Sequence, residues 1–341
     1  MRKLRVLALM LEDFVPPPSI EGMSEDQLAP FKTEYDVVAM LRELGHDTCV
    51  LGVADDLGIV RETLQAIKPD IVFNLLEEFR GVGSYVPYLL GYLELMGVAY
   101  TGCNPQGLLL ATHKGLSKKI FRHHRIPVPN FALFPKKRAV RRPRHLSYPL
   151  IVKSATEHGS VGIAQASVVR DEEKLRDRIA YLHEELHTDA IAEEYIEGRE
   201  LYIGVLGNSR LQTLPVWEMH FHDLPEGSLP IATEKVKWDR RYQQKIKVKT
   251  AAAGDLPDGS ARLIERICRR AYRAVGQTGY ARMDLRLSNE GKAYLIESNP
   301  NPQLARGEDF AESAQHQSLK YDQLIQRILN LGLQYHRSPK V

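Results

Sequence analysis

Residues 279–303 have the pattern of two antiparallel strands joined by a turn, and they carry three oxygen-bearing side chains. From Tyr280 to Leu287 polar and apolar residues alternate, as they do in a strand with one buried face. Ser288-Asn289-Glu290-Gly291 is typical of a turn, and residues 293–299 would form the returning strand. The alternation predicts one polar face that carries Asp284, Glu297 and Asn299.

These three side chains have two interpretations. Carboxylate and amide oxygens are the ligands that Mg²⁺ prefers, and magnesium sites usually share the ion with phosphates. The alternative is an edge hairpin whose polar face is only solvated. Pro300 and Pro302 favour the metal site, because they end the strand after Asn299 and hold the next residues in a fixed path.

A lysine and a pair of glycines follow one another in the middle of the chain. Pro149–Lys153 predicts a strand that ends on the lysine, and Gly159 and Gly162 lie in a loop before another strand that ends at Val169. This order is typical of a flap whose backbone N–H groups face phosphate oxygens. A plain hairpin turn would have the same composition. The spacing of a P-loop and its following helix is absent.

Two more strands are predicted over 190–196 and 198–207, paired as a hairpin, with a third over 210–217. Backbone groups of residues 193–196 could bind a base between the first two. The carboxylate of Glu200 could accept hydrogen bonds from ribose hydroxyls.

Two segments are rich in lysine and arginine. Residues 232–249 have weak periodicity, which predicts a mobile active-site loop. Residues 136–144, KKRAVRRPR, would be either a patch for RNA or another polyanion, or a solvated surface loop. The lack of interleaved aromatic residues favours the solvated loop.

The start of the chain alternates predicted strands and helices. This order predicts right-handed βαβ units in a parallel sheet, whose ligands bind beyond the carboxyl ends of the strands. Polar residues near those ends are Glu12, Asp13, Asn74 and Glu77. Thr33 is the predicted N-cap of the first helix, which follows a proline-rich loop. The strands are predicted over 4–11, 47–53 and 70–75, the helices over 33–44, 60–67 and 85–96, and the loop over 15–30.

Composition narrows the classes of function. The 341 residues are enough for two or three domains, and a formal net charge of +3, from 46 basic and 43 acidic residues, argues against a nucleic-acid partner. Cys49, Cys103 and Cys268 have no metal-binding spacing, so we expect free thiols. We expect a cytoplasmic protein without a membrane segment or signal peptide.

Taken together, these segments resemble the ATP-grasp superfamily, and most closely its D-alanine–D-alanine ligase branch. The matching motifs occur in the family's order and spacing over nearly the whole chain: YTG at 100–102, HKGLSKKIFRHHRIPVP, PLIVK, GSVGI, EEYIEGRELYIGVLGN and ARMDLRL…YLIESN. The resemblance implies an α/β protein, α+β in its C-terminal part, with the ATP-grasp fold behind a Rossmann-like domain. The implied domains are 1–112, 113–198 and 199–341, the second carrying the flap and the third the metal site.

The resemblance also implies roles for individual residues. On the nucleotide side, ATP would be bound through its phosphates, base and ribose by Lys114, Lys153, Gly159, Gly162, Glu193, Tyr195, Ile196 and Glu200. Lys237 matches a loop lysine that reaches the terminal phosphate, and Ser160 lies in the flap. Arg282 matches the arginine that stabilises the acyl-phosphate and tetrahedral species. The metal ligands would be Asp284, Glu297 and Asn299, holding two Mg²⁺ ions, with Mn²⁺ as an alternative.

The chain departs from the family where amino acids bind. Gly159 replaces the first residue of a serine pair, Trp238 a tyrosine after the loop lysine, and Glu77 a histidine after the third strand. Residues 300–303 replace a Pro-Gly-Met turn. The glutamate that binds the first substrate's ammonium has two candidates, Glu34 and Glu12. These departures put D-alanine in doubt as the substrate.

The implied activity is an ATP-dependent carboxylate–amine ligase that forms an amide through an acyl phosphate. Its partners would be a small carboxylate and a small amine, amino acids among them, and the resemblance implies a homodimer formed through the N-terminal domain. The alternative is a protein that binds nucleotide as a regulator or partner subunit, without ligating anything. The complete set of lysine and metal positions favours the ligase.

Overall fold

The computed structural model describes residues 2–157 and 159–338 and contains three β-sheets along the chain. The first sheet is parallel, with strand order β2-β1-β3, as the alternation of strands and helices predicts. Its strands are β1 (Arg5–Leu11), β2 (Asp47–Val53) and β3 (Ile71–Asn74). The helices are α1 (Glu25–Leu28), α2 (Lys32–Glu43), α3 (Leu57–Ile67), α4 (Val86–Leu95) and α5 (Pro105–Thr112).

The second sheet is antiparallel, with strand order β4-β7-β5-β6. Its strands are β4 (Phe131–Phe134), β5 (Leu150–Ser154), β6 (Val168–Val169) and β7 (Ala190–Glu194). Two helices accompany it, α6 (Lys114–His123) and α7 (Glu172–Glu184). Asp171 caps α7 by accepting a hydrogen bond from the backbone N–H of Lys174, and Leu175, Ile179 and Leu182 form the buried face of this helix.

The third sheet has six strands in the order β11-β10-β8-β12-β13, and the short β9 pairs with β8. Its long central strand β12 has the predicted apolar face, with Met283, Leu285 and Leu287 buried against α10. The strands are β8 (Gly198–Leu206), β9 (Gln212–Thr213), β10 (Trp217–Phe221), β11 (Val248–Ala252), β12 (Tyr280–Ser288) and β13 (Ala293–Pro300). The helices are α8 (Glu234–Trp238), α9 (Arg240–Lys245), α10 (Ser260–Ala274), α11 (Asp309–His316) and α12 (Tyr321–Arg337).

The end of the chain returns to the first sheet. Ile325 and Ile328 of α12 lie in one hydrophobic cluster with Val37 of α2, Phe73 of β3 and Tyr280 of β12. A second close approach joins the segment between α4 and α5 to the start of β12, because a Cβ on Gly279 would lie 2.4 Å from the carbonyl oxygen of Gly102. Glycine at 279, with φ +71°, therefore allows the first and third sheets to meet.

Several local expectations are wrong. Residues 15–30 contain helix α1 and a 3-10 turn at Ala29–Phe31, and Thr33 lies inside α2, whose N-cap is Phe31. The predicted flap strand up to Val169 is reduced to the two residues of β6. Strand β7 does not form a hairpin with β8, because β7 pairs with β4 and β5 while β8 pairs with β9, β10 and β12. The basic segment 232–249 contains α8, α9 and the start of β11, and α5 was not predicted.

None of the helices in the described residues is long and apolar enough to cross a membrane.

Candidate active site

A cleft between the second and third sheets brings together most of the predicted site residues. It encloses about 830 Å³, its open mouth included. The predicted residues that line it are Lys114, Lys153, Ser160, Glu193, Tyr195, Ile196, Glu200, Lys237, Asp284 and Glu297. Apolar side chains line the rest, among them Ile151 and Ile296 from the two sheets and Ile231 from the loop before α8. An apolar cleft with converging polar groups is the usual form of a small-molecule site.

Glu193 joins two lysines at the back of the cleft. Its carboxylate lies 3.1 Å from the Nζ of Lys118 and 3.2 Å from the Nζ of Lys153, and all three side chains are buried. Burial lowers the pKa of Lys118 to about 8 against the opposing charge of Glu193. Burial also acts on Lys153, but the carboxylates of Glu193 and Glu297 outweigh it and raise the pKa of that lysine. Both lysines are held in place before any ligand binds.

Lys118 also connects this pair to the third sheet. Its Nζ donates a hydrogen bond of 2.7 Å to the carbonyl oxygen of Ile296. Ile296 is the residue that the irregular pairing of β12 with β13 leaves without a strand partner, so its carbonyl is available. Lys118 was not predicted as a site residue. Its position four residues after Lys114, on the same face of α6, was the available signal.

The predicted metal ligands lie beside one another on the third sheet. Asp284 of β12 pairs in register with Glu297 of β13, and Arg282 pairs with Asn299. The carboxylate of Asp284 accepts hydrogen bonds of 2.8 and 2.9 Å from Arg282, and Asn299 donates to Glu297 at 3.3 Å. Glu297 also lies 3.7 Å from the Nζ of Lys114.

The donor set fits a divalent cation. Burial raises the pKa of Asp284, although Arg282 opposes the effect, so the ionised carboxylate carries a desolvation cost that a cation would relieve. Among the described residues, no three acidic, histidine or cysteine side chains are close enough to hold a metal by themselves. A Mg²⁺ site would therefore need Asn299 and oxygens of a bound phosphate, as magnesium sites commonly do.

Glu200 and Arg286 form a polar wall at another side of the cleft. The carboxylate of Glu200 accepts hydrogen bonds from Arg286 at 3.1 Å and from the hydroxyl of Tyr202 at 2.8 Å. The guanidinium of Arg286 lies 5.1 Å from the centre of the Tyr195 ring, within the range of a cation–π contact. Arg286 was not predicted as a site residue, although it continues the polar alternation of β12.

Two segments meet over the cleft. The indole N–H of Trp238, at the end of α8, donates a hydrogen bond of 2.8 Å to the carbonyl of Gly159, and the backbone N–H of Gly162 donates 2.7 Å to Glu234. A Cβ on Gly159 would lie 3.2 Å from the Trp238 ring, and the φ of Gly159 is +65°. Glycine at 159 and tryptophan at 238 therefore fit one another.

Helix α9 connects this cover to α1, near the start of the chain. Arg240 lies 2.5 Å from Glu25 and 3.2 Å from Asp26, at the start of α1.

Four predicted residues lie outside the lining of the cleft itself: Gly159, Gly162, Arg282 and Asn299. The backbone N–H of Gly162 is bonded to Glu234 rather than directed at the cleft.

The two candidates for binding a substrate ammonium have different environments. Glu34, in the first turn of α2, is buried, whereas Glu12 is exposed in a 3-10 turn after β1. Burial raises the pKa of Glu34 to about 7, and the charge of Glu77 adds to the effect.

Asn301, in the segment that replaces the family's turn, accepts a hydrogen bond of 2.8 Å from the backbone N–H of Cys103.

Comparison with known proteins gives a consistent result. The family model described as D-ala D-ala ligase C-terminus matches residues 120–330. An uncharacterised protein of Sinorhizobium fredii, y4sG, is 30% identical over 303 residues, which are 87% of this chain and 86% of that protein. The D-alanine–D-alanine ligase of Carboxydothermus hydrogenoformans is 26% identical over 321 residues, covering 92% and 96%.

Solved structures share the fold. The D-alanine–D-alanine ligase of Bacillus anthracis, crystallised with ATP, superimposes with a TM-score of 0.76 at 19% identity and covers 98% of this chain and 99% of its own. The enzyme from Coxiella burnetii superimposes with a TM-score of 0.71 at 17% identity. The predicted ATP-grasp fold with a parallel N-terminal sheet is thereby confirmed.

Replacing Lys118 should destabilise the fold. In Lys118→Met, Glu193 keeps only one cation in a buried setting, and we expect the free energy of unfolding to fall by about 3 kcal/mol. Lys119→Met is the control, because Lys119 is exposed on the same helix and should change stability by less than about 0.5 kcal/mol. Urea denaturation measures both. Equal stability of the two variants would contradict the structural role of the pair.

Glu34 should make stability depend on pH. Its folded pKa of about 7 lies above the ordinary value of 4.5, so the folded state binds more protons between these values and stability falls as pH rises through this window. Glu34→Gln removes this loss. We expect the variant's stability relative to wild type to rise by about 2 to 3 kcal/mol between pH 5 and pH 8 in urea denaturation. Glu43→Gln, at the exposed end of α2, should show no such trend.

Proposed function

The chain belongs to the family of the D-ala D-ala ligase C-terminus model, and on that premise we propose that it is an ATP-dependent carboxylate–amine ligase. The carrying observation is the cleft in which Lys114, Lys153 and Lys237 converge with Asp284 and Glu297. Lysines together with metal-binding carboxylates are what a transferring phosphoryl group requires, because catalysis of that step is almost entirely positioning and charge stabilisation.

ATP would lie in this cleft with its phosphates toward the lysines. Lys153 is fixed by Glu193, so its charge is already oriented when the nucleotide arrives. The base would lie near Tyr195 and Ile196, and the ribose near Glu200. Asp284, Glu297 and Asn299 would hold Mg²⁺, which would neutralise phosphate charge during transfer.

The reaction would take place in two steps. A substrate carboxylate oxygen attacks the γ-phosphorus of ATP, the bond to the β-phosphate oxygen breaks, and an acyl phosphate and ADP form. The substrate amine then attacks the acyl carbon, loses a proton, and inorganic phosphate leaves with the amide formed. The guanidinium of Arg282, held by Asp284 and 4.7 Å from the centre of the Tyr202 ring, would stabilise the oxyanion, a contribution of about 3–4 kcal/mol per donor.

The cover of the cleft would protect the acyl phosphate from water. Ser160 and Lys237 line the cleft from the two segments that meet through Trp238 and Gly159. Water would otherwise hydrolyse the intermediate, so ATP would be consumed without product.

The proposed ligase activity can be tested directly. The protein with ATP and Mg²⁺ is incubated with pools of amino acids and small carboxylates, ADP is measured, and products are identified by mass spectrometry. We expect a product whose mass equals two components less water, in equal amount to the ADP. In Glu297→Gln this turnover should be lost while the fold is kept, and Glu290→Gln, in the exposed turn of the same hairpin, should retain it.

Two results would contradict the proposal. ATP consumption at the wild-type rate by Glu297→Gln would refute the metal assignment. Nucleotide binding without product from any pool would favour a regulatory protein that binds nucleotide.

The contact between Trp238 and Gly159 should control the coupling of ATP use to product. Trp238→Phe keeps a ring but removes the N–H donor, so the cover opens more often and water reaches the acyl phosphate. We expect the ratio of phosphate released to amide formed to rise about two- to tenfold, the equivalent of one lost hydrogen bond. Tyr242→Phe is the control, since the Tyr242 hydroxyl has no hydrogen bond within the described part of the chain. An unchanged ratio in Trp238→Phe would refute this role.

A further inference from the structure

Tyr202 of β8 is a buried residue of the third sheet that lies outside the lining of the candidate cleft. It pairs in register with Asp284 of β12, and directly opposed residues of antiparallel strands have their side chains on the same face of the sheet. Its side chain therefore lies on the face that carries the cleft. Only 2% of Tyr202 is exposed. A buried tyrosine usually has a partner for its hydroxyl, so its contacts indicate what it supports.

The hydroxyl of Tyr202 holds one oxygen of Glu200. It donates a hydrogen bond of 2.8 Å to Oε1 of Glu200 and lies 3.8 Å from the sulfur of Met219, while Arg286 donates 3.1 Å to Oε2 of Glu200. Each oxygen of an ionised carboxylate accepts about two hydrogen bonds. Glu200 lines the cleft, so both of its oxygens keep the capacity to accept a bond from one of the two adjacent hydroxyls of a ribose.

Arg286 is held in place without Tyr202. Its guanidinium donates hydrogen bonds of 2.8 Å to the carbonyl of Gly198 and 3.2 Å to the carbonyl of Pro230, and the residue is 6% exposed. Loss of the Tyr202 hydroxyl would therefore free one oxygen of Glu200 and leave the other oxygen bonded.

The ring of Tyr202 supports Arg282. The guanidinium of Arg282 lies 4.7 Å from the centre of this ring, within the range of a cation–π contact. Its Nε and Nη2 donate to Asp284 at 2.8 and 2.9 Å. Within residues 2–157 and 159–338, Nη1 of Arg282 has no hydrogen-bond acceptor, so this nitrogen is the one that can donate to an oxyanion.

We propose that Tyr202 is a positioning residue for both ends of the cleft: its hydroxyl holds Glu200 for the ribose of ATP, and its ring holds Arg282 for the reacting carboxyl group. This inference rests on the proposed ligase function and gives a role to a residue outside the lining of the cleft. Because the two roles use different parts of one side chain, they can be removed one at a time.

Tyr202→Phe removes the hydroxyl and keeps the ring. Binding of ATP and of 2′-deoxy-ATP to the full-length protein with Mg²⁺ is measured by calorimetry, without carboxylate or amine. We expect ATP to bind about tenfold more weakly, as for one lost hydrogen bond to a charged group. Binding of 2′-deoxy-ATP should weaken less, so the preference for ATP shrinks. The kcat of amide formation at saturating ATP should change less than about twofold, because only binding is affected.

Tyr202→Leu removes the ring as well. We expect the same loss of ATP affinity as in Tyr202→Phe. The kcat at saturating ATP should in addition fall about tenfold, because Arg282 loses one of its two supports and is a less well-aligned oxyanion donor. Equal kcat values in Tyr202→Phe and Tyr202→Leu would refute the role of the ring.

Tyr272→Phe is the matched control. Tyr272 is a buried residue of α10, which packs on the opposite face of the third sheet, and its hydroxyl also donates a hydrogen bond of 2.8 Å, to the carbonyl of Gly207. The variant loses one buried hydrogen bond away from the cleft, so it should keep the affinity for ATP, the preference over 2′-deoxy-ATP and kcat. Equal effects of Tyr272→Phe and Tyr202→Phe would reflect stability alone and would overturn the inference.

The two readouts separate this inference from the proposed function. If the wild type forms an amide and Tyr202→Phe binds both nucleotides as the wild type does, the ligase stands and the inference is wrong. If Tyr202→Phe loses the preference for ATP but the wild type forms no amide from any pool, the role of the hydroxyl stands, and both the ligase and the role at Arg282 are wrong.

Discussion

The buried carboxylate of Glu193 is the interaction on which the geometry of the site depends. From its place on β7 it holds Lys118 of α6 and Lys153 of β5, so one acid fixes two bases and joins three elements. Lys118 then donates a hydrogen bond to the carbonyl of Ile296 on β13 and ties these elements to the third sheet. Pairing within a low-dielectric interior is strong only when the geometry is well defined, and here three elements supply that geometry.

This arrangement explains how several positively charged lysines can lie together in the cleft without a bound anion. Burial alone would lower the pKa of each lysine and favour its uncharged form, and the pKa values of Lys118 and Lys114 are indeed lowered. Lys153 has the opposite shift because Glu193 and Glu297 both face it. Lys153, which pairs with Glu193 and also lies in the field of Glu297, therefore keeps its charge more firmly than Lys114 and Lys118, which is the property needed of a group that binds an anion.

Local features of the fold could be predicted from the sequence, but pairing over long distances could not. The alternation in β12 and the strand at Asp47–Val53 both depend on residues close together in the chain, and each is found as predicted. Strands β7 and β8 were predicted to pair because they are close together in the sequence. They belong instead to different sheets, where β7 pairs with β4 and β5 and β8 pairs with β12.

The candidate site shows the same division. The lysines and acidic residues that match the family's motifs could be predicted from the sequence, and most of them line one cleft. Lys118 and Arg286 were missed because their roles depend on partners far away in the chain, at Ile296 and Glu200. The mobile loop predicted over 232–249 instead forms two short helices, since Thr233 and Asp239 cap them by accepting backbone hydrogen bonds.

Strand β12 links the candidate cleft to the first sheet. One face of β12 carries Asp284 and Arg286 in the lining of the cleft and Tyr280 in the hydrophobic cluster of the first sheet, with Arg282 between them. Because a strand is stiff, the distance between the two ends is fixed. Residues at the edge of the first sheet can therefore change without moving the buried lysines of the candidate cleft. That independence fits a chain whose departures from the family motifs, at Glu77 and at residues 300–303, lie outside the lining of the cleft.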